Sequence, residues 1–316
     1  MEFSIVIPTY NRASLVSQVV RAFLAEAPFR GDSRVAPFRG DSRAEGMDFE
    51  VIVVDDGSSD DTAQRLSSIQ DPRLRLIRQP NQKQAAARNR GLGEARGAYV
   101  LFNDDDVIPA PGLLKAHLEA HRLYPNAAIV SRVRVPEVVV RTPFQRYWQA
   151  RMHAGTDPLK PGQVLGKGGF WSASISFSRQ GLPDRPFGEF PAYGWEEHEL
   201  GLRLWNRGIR PRFWPRAQAW HHDPVSLEAM LEKWQSMGRM AWKFYAAHKS
   251  LEVAFWTGVN PLSLGLKRWL YPWGKAERLL AERSWEEQEG ASSKYKFLLE
   301  AAYTRGLIEG RPPWTN

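Results

Sequence analysis

The residues best suited to chemistry in this sequence are acidic, and they come in three groups. Asp104, Asp105 and Asp106 follow the apolar run Val100, Leu101, Phe102; Asp55 and Asp56 follow a second such run ending at Val54. Glu196 and Glu197 precede Leu200, Leu204 and Trp205, which recur with helical spacing. Three adjacent carboxylates repel one another, so a cluster at the end of a buried strand requires compensating charge. Oxygen ligands of this kind suit Mg²⁺ or Mn²⁺ carrying substrate phosphates. The plain alternative is a solvated acidic turn that only ends a strand. For the glutamates it is ordinary charge at a helix N-terminus, where the dipole favours anions.

Composition limits what these groups can belong to. A chain of 316 residues with 43% hydrophobic side chains can bury a sizeable core in one large or two smaller domains. Its 43 Lys and Arg against 35 Asp and Glu leave a net charge of +8, which favours an anionic partner. Cysteine is absent, removing disulfides, thiolate catalysis and Cys-based zinc sites. The start MEFSIVIPTYNR lacks a basic segment followed by an apolar stretch, and no apolar run reaches the ~18 residues of a membrane span. The expected location is the cytoplasm, with peripheral contact at the inner face of the membrane as a further option.

The elements that must position the acidic groups can be read in order. Phe3 to Pro8 is a β-branched strand that delivers a loop at Thr9, Tyr10 and Asn11. Leu15, Val19 and Phe23, flanked by Val16, Val20 and Leu24, form the apolar stripe of a helix. Residues 27–35, APFRGDSRV, are followed at once by APFRGDSRA, a near-perfect tandem copy that reads as a duplicated loop insertion over 27–44. Strands are expected over Glu50 to Val54, with a following helix capped by Ser59 or Asp60, and over Leu74 to Ile77. The Ala-rich segment Gln84 to Arg96 should be helical and lead into the Tyr99 strand. Strand and helix alternate, which predicts a mostly parallel sheet covered by helices, with ligands beyond the carboxyl ends of its strands. A helix at Leu113 to Tyr124 and a strand at Ala128 to Val133 follow, and the pattern loosens from Pro143 to Gly168. Alternation at Trp171, Ala173, Ile175 and Phe177 predicts a half-buried strand, and a long helix is expected over Leu227 to His248.

Four segments, IVIPTYNR, VIVVDDGSSDDT, ARNRGLGEARGAYVLFNDDD and YGWEEHELGLRLWNRG, together resemble the successive motifs of the family-2 glycosyltransferases of GT-A fold. The resemblance covers roughly the first 220 residues by motif position, whereas a lone DxD would be weak. It implies a GT-A α/β catalytic domain over 1–222 and a helical region over 223–316. It further implies inverting transfer of a sugar from a nucleotide diphosphate sugar to a hydroxyl acceptor, a glycan or a lipid-linked molecule. Carried over by position, Pro8, Thr9 and Tyr10 border the base, and Asp56 accepts a hydrogen bond from an imide N–H such as that of uracil, which favours a UDP-sugar. Asp104 lies near the ribose and, with Asp105, in the donor site. Asp106 is the metal carboxylate, with Asp104 beside it. Glu197 matches the catalytic base, where most relatives have Asp, and Glu196 is its alternative.

Arg88 falls where the family often places a basic residue near the pyrophosphate, although arginines on surface helices are more often solvated. His221 and His222 fall where many such enzymes offer Mn²⁺ a histidine. His222 is preferred, since a strand points only one of two neighbours into a site. Two departures bear on the donor and acceptor contacts: Gln82, Lys83 and Gln84 replace a usual Gly, and Ser174 replaces a frequent Asn.

Other readings are weaker. A nucleotidyltransferase would carry a Gly-rich phosphate loop that IVIPTYNR lacks, an inactive binding module would have damaged carboxylates, and no GxGxxG follows the first strand. Nucleic acid is not an expected partner. Trp269, Leu270, Tyr271, Trp273 and Leu279 are interleaved with Lys267, Arg268, Lys275 and Arg278, which fits either a helical cap packed on the catalytic domain or contact with an anionic membrane surface or a lipid-linked acceptor. The cap is the preferred expectation.

Overall fold

A computed structural model describes residues 1–26, 47–188, 190, 192–223, 225–288 and 290–312. The duplicated segment lies outside the described residues. In chain order the first elements are β1 (Phe3–Thr9), α1 (Ala13–Ala25), β2 (Phe49–Asp55), α2 (Thr62–Ser67), β3 (Leu74–Arg78), α3 (Lys83–Glu94), β4 (Tyr99–Asn103) and β5 (Val107–Pro109). They are followed by α4 (Leu113–Leu123), β6 (Ala127–Arg134), α5 (Pro143–Thr156), β7 (Ser174–Ser178), α6 (Glu196–Asn206) and β8 (Arg210–His221). The rest is helical: α7 (Leu227–His248), α8 (Leu251–Thr257), α9 (Pro261–Leu270), α10 (Trp273–Glu282) and α11 (Ala291–Glu309).

The chain divides into two compact units. Unit 1 comprises Met1–Arg134, Leu159–Phe187 and Leu200–His222, and unit 2 comprises Val135–Pro158, Gly188–Glu199 and Asp223–Asn316. Unit 1 holds one eight-stranded sheet in the order β3-β2-β1-β4-β7-β6-β8-β5. The block β3-β2-β1-β4 is parallel throughout, β7 runs antiparallel to both β4 and β6, and β8 is parallel to β6 and antiparallel to β5. This is the expected α/β class, a mostly parallel sheet covered by helices.

Period-2 alternation explains why β1 and β2 are apolar on both faces. Phe3, Ile5, Ile7, Phe49, Val51 and Val53 pack with Val16, Val19, Val20 and Phe23 of α1. Val6, Ile52 and Val54 point the other way, towards Ala85, Ala87 and Leu92 of α3. A strand sandwiched between helices has no solvent face and reads as continuous hydrophobicity. Gly91 permits the closeness of α3, since a Cβ there would collide with the Val6 side chain.

Three expectations change on contact with the structure. The stretch from Pro143 is not loose: Thr142 and Gln145 form a capping box, with Pro143 in the first turn, and start α5. Asp61, rather than Ser59 or Asp60, stands at the cap position of α2, while the Asp60 carboxylate accepts the Thr62 N–H. β7 is buried on both faces rather than half buried. Its serines are accommodated by a polar seam in which His117 Nδ1 lies 2.8 Å from Ser176 Oγ and Nε2 2.8 Å from Ser131 Oγ. Ser131 meets Ser174 at 2.8 Å, and His121 Nε2 reaches Ser176 at 2.7 Å while its ring stacks on Tyr99.

Unit 2 is built on α7 and α11. Tyr295, Leu298, Leu299 and Ala302 of α11 form a core with Leu227, Met230 and Leu231 of α7, Phe144 of α5 and Trp285. Ser226 caps α7 by accepting the Ala229 N–H, which fixes where the long helix begins.

The histidine seam sets a pH dependence. Burial pushes His117 down to about 3, with the neighbouring His121 adding to the shift, and burial pushes His121 down to about 4. Unfolded chains take up these protons near pH 6.5 while the folded protein does not, so the contribution is complete above that pH and is lost on acidification towards the folded values. Stability should fall by about 1.4 kcal/mol per pH unit for each histidine below pH 6. Urea unfolding at pH 7 and 5 measures this. His121→Phe, which keeps the ring stack, should flatten the slope, and an unchanged slope would remove the assignment.

Candidate active site

The carboxyl ends of β1, β2 and β4 lie along one edge of the parallel block, because the register pairs Val6 with Phe102 and Thr9 with Asp55. The acidic turn leaves from that edge. Asn103, at the end of β4 and fully buried, donates through Nδ2 to the carbonyls of Asp104 and Val107, both at 2.8 Å. The Val107 N–H closes the turn on Asp104 O, and the Asp104 N–H donates to Ala173 O at 3.0 Å. The backbone therefore holds the three carboxylates in place before any ligand is considered.

Each aspartate meets a different neighbour. Asp104 Oδ1 accepts from Arg88 Nη2 at 2.8 Å and from Gln84 Nε2 at 3.1 Å, both on α3. Arg88 is 1% exposed and its guanidinium lies over the Phe187 ring, so it is a buried counter-ion and not a solvated arginine. Asp105 Oδ2 accepts the Thr9 hydroxyl at 2.7 Å. Burial and then the neighbouring Asp106 charge push the Asp105 carboxyl up to about 7, against the pull of Thr9 and Arg12. Asp106 is buried and pairs with Arg12 Nη1 at 3.4 Å.

The histidines sort by strand register. β8 ends at His221, which pairs with Val107, so the His221 ring comes to 3.7 Å from Asp106 Oδ1. His222 follows the strand and contributes its backbone N–H to Asp106 O at 2.8 Å. Its ring is pushed below the usual histidine range by burial and by His221. The ring beside the carboxylate is therefore that of His221, where His222 was expected.

A second loop stands next to the first. The Asp56 N–H donates to Thr9 O at 2.9 Å, and the buried Asp56 carboxylate accepts three hydrogen bonds: Gln79 Nε2 at 2.7 Å, Gln82 N at 2.9 Å and Lys83 N at 2.8 Å. A carboxylate offers about four lone-pair sites, so one direction is left for a further donor. Asp55 is consumed by structure, accepting from Ser58 N and pairing with Arg78. Asn11, with φ of 52°, clamps the two loops: its N–H donates to Ser58 Oγ and its Oδ1 accepts from Ser59 N. Pro8 and Thr9 close β1, and Tyr10 beyond them is exposed.

The glutamate pair belongs to unit 2. Gly194 has a φ of 131°, a value that favours glycine, and Trp195 follows with φ of 69°. The Gly194 N–H donates to Glu196 Oε2 at 2.9 Å, and Glu196 is 4% exposed. Glu197 is half buried. Trp195 anchors the turn, donating Nε1–H to Met237 O at 2.9 Å and stacking on Phe244. Glu199 faces His248 Nε2 at 3.2 Å, and burial lowers His198 against the opposing charge of Glu197.

Asp56, Arg88, Asp104, Asp105, Asp106 and Thr9 are thus gathered on unit 1. Sequence reasoning missed Arg12, Gln79 and Asn103, and marked Gln84 only as part of a departure from the family's usual Gly. Arg12 could have been found as a cation one residue past the first loop, while Gln79 and Asn103 carry no signal that separates them from other polar side chains.

The fold agrees with the comparisons. The family model for glycosyl transferase family 2 matches residues 4–177. The chondroitin synthase of Escherichia coli is 24% identical over 261 residues, covering 71% of this chain, and this chain spans only 35% of that protein's length. Among solved structures, the mannosyltransferase PcManGT of Pyrobaculum calidifontis in complex with GDP-Man and Mn²⁺ aligns over 96% of this chain and 86% of its own at 17% identity, with a TM-score of 0.55. Residues 1–349 of S. aureus TarS in complex with UDP-GlcNAc align over 98% and 91% at 16% identity, with a TM-score of 0.52. These likenesses establish the fold as that of GT-A glycosyltransferases, and the match of the family model over more than half the chain establishes that this protein belongs to glycosyl transferase family 2.

Proposed function

We propose that the chain transfers a sugar from a nucleotide diphosphate sugar to a hydroxyl acceptor, a glycan or a lipid-linked molecule, with inversion and with a divalent cation. The observation that carries this reading is the meeting of Thr9, Asp56 and Asp104 to Asp106 at the carboxyl edge of one parallel block, where open α/β sheets bind ligands. Solved relatives of this fold hold GDP-Man with Mn²⁺ and UDP-GlcNAc. UDP is favoured here because the remaining acceptor direction on Asp56 suits the single imide N–H of uracil.

Asp104 and Asp106 fit a divalent cation, being hard oxygen donors beside an imidazole at His221. Among the described residues no group of three or more His, Asp and Glu is arranged to hold a metal by itself. A cation here would therefore take further ligands from the donor's phosphates and from water, the usual habit of Mg²⁺. When bound it would offset the charge that builds up on the departing diphosphate. Arg88 fixes Asp104 in place, Arg12 pairs with Asp106, and Asp56 orients the base. Glu197 removes the acceptor's proton from the opposite face as the hydroxyl attacks. Of the two glutamates, Glu196 Oε2 accepts the Gly194 N–H, and Glu197 is preferred as the base for its place in the motif YGWEEHELGLRLWNRG.

Three outcomes test this. Donor binding followed by calorimetry should require Mn²⁺ or Mg²⁺, and Asp106→Asn should reduce that requirement; equal affinity with excess chelator would end the metal assignment. Arg88→Met strands Asp104 beside two other carboxylates and should cost about 3–5 kcal/mol of stability in urea unfolding. Asp104→Asn in the same chain should restore part of it. Glu197→Gln keeps shape without a usable base, so kcat should drop by about 10²–10⁴-fold with donor affinity retained. Glu196→Gln should instead lower stability more than turnover. Release of pyrophosphate from a nucleoside triphosphate and a sugar 1-phosphate, with formation of the nucleotide sugar, would favour a nucleotidyltransferase, and donor binding without any turnover, including hydrolysis, an inactive binding module.

A further inference from the structure

The aromatic and basic stretch near the carboxyl end divides into two parts. Tyr271, Trp273 and Leu279 pack against the core of unit 2, as a helical cap should. Helix α9 does the opposite with its apolar residues. Leu262 is 82% exposed, Leu266 56% and Trp269 77%, and Leu270 is exposed as well, whereas Leu264 alone among its leucines is buried. At about 100° per residue, Gly265, Trp269, Leu262, Leu266 and Leu270 share an arc of about 140°. Arg268 borders that arc on one side and Lys267 on the other. Leu264 points away from it, into unit 2. A Cβ at Gly265 would meet nothing within 4 Å, so the arc is open along its length.

Soluble helices do not normally turn such a stripe outward, and an exposed apolar face of this kind marks an interaction surface. Its charge selects the partner. No Asp or Glu occurs between Glu252 and Glu277, while Arg268 and Lys275 lie within that stretch together with Lys267, which is paired with Glu300 at 2.8 Å. A second copy docked through the same face would bring these cations against themselves. A phospholipid surface of negative charge complements them and accepts the leucines. Beside α9 a cavity of about 380 Å³ is lined by Arg268, Arg305, Glu309, Tyr271, Trp273 and Thr304, with the Arg305 guanidinium 4.6 Å from the centre of the Trp273 ring and its Nε 2.9 Å from Glu309 Oε1. Arg305 is paired with Glu309, so Arg268 is the guanidinium offered to a headgroup phosphate.

We propose that α9 is a peripheral contact to an anionic phospholipid bilayer. Leu262, Leu266, Trp269 and Leu270 enter the boundary between headgroups and acyl chains, and Arg268 stays among the phosphates. Among the described residues no helix is long and apolar enough to cross a membrane, so this contact lies along the surface. It is independent of the sugar-transfer reading.

Flotation of the full chain with vesicles tests it. Binding to phosphatidylglycerol/phosphatidylcholine vesicles should exceed binding to phosphatidylcholine alone and weaken as salt rises. Combined Leu262→Ser, Leu266→Ser and Trp269→Ser, all at exposed positions, should lower partitioning by about tenfold or more while the thermal unfolding midpoint stays put. Arg268→Glu should lower binding to the anionic vesicles only. Protein that stays at the bottom at low salt overturns the proposal, as does a triple variant that floats like the parent. A dimer in light scattering that the triple substitution dissolves would also overturn it, in favour of a second copy. Donor hydrolysis in solution should be the same in all these variants, so failure here and failure of the catalytic reading are separable.

Discussion

Three carboxylates on consecutive residues are the constraint from which unit 1 can be understood. At the mouth of a buried strand their mutual repulsion would open the turn, and the protein answers each charge separately. Arg88 is sunk beneath Asp104, the Thr9 hydroxyl meets Asp105, and Arg12 reaches Asp106. Burying an arginine to 1% exposure is costly unless it is paired, so the ion pair holds α3 to the β4 edge as firmly as it holds the aspartate. The close seat of α3 on β1, which Gly91 makes possible, lets that guanidinium reach so deep. Packing and electrostatics here are one arrangement.

The same constraint organises the neighbouring loop. With Asp55 tied to Ser58 and Arg78, only Asp56 faces the loop at residues 79–83, where it gathers two backbone N–H groups and the Gln79 amide. Lys83 takes a positive φ of 71° in donating to it. A carboxylate held by three donors in this way is fixed in direction. Asn11 then ties this loop to the one after β1 through Ser58 and Ser59, so both move as one body.

What could be read beforehand followed from periodicity and from clustered charge. The sandwiched strands, the long α7 and the acidic edge were legible because each imposes a pattern on many residues at once. β7 misled because its alternation is real while both faces are buried: Ser174 and Ser176 look solvent-facing but close a seam with His117, His121 and Ser131. Helix α5 was overlooked although Thr142, Pro143 and Gln145 spell out its start. The choice between His221 and His222 depends on where β8 ends, and strand ends shift by a residue for reasons of pairing that no local pattern carries. Gln79 and Gln84 act through single hydrogen bonds and leave no trace in composition.

Unit 2 meets a different demand, which is to hold carboxylates at the first turn of α6. Its solution is aromatic and steric. Trp195 is locked by Met237 and Phe244, Gly194 supplies the backbone geometry, and the Gly194 N–H fixes Glu196. Glu199 meets the His248 ring, where Asp104 meets an arginine. A group meant to stay anionic under a phosphate is best served by a permanent counter-ion. A group meant to accept and release a proton is better left beside neutral partners, since a fixed cation would depress its basicity. Arg88 under Asp104 and the Gly194 turn at Glu196 are two ways of fixing a carboxylate, one through a buried ion pair and one through the backbone.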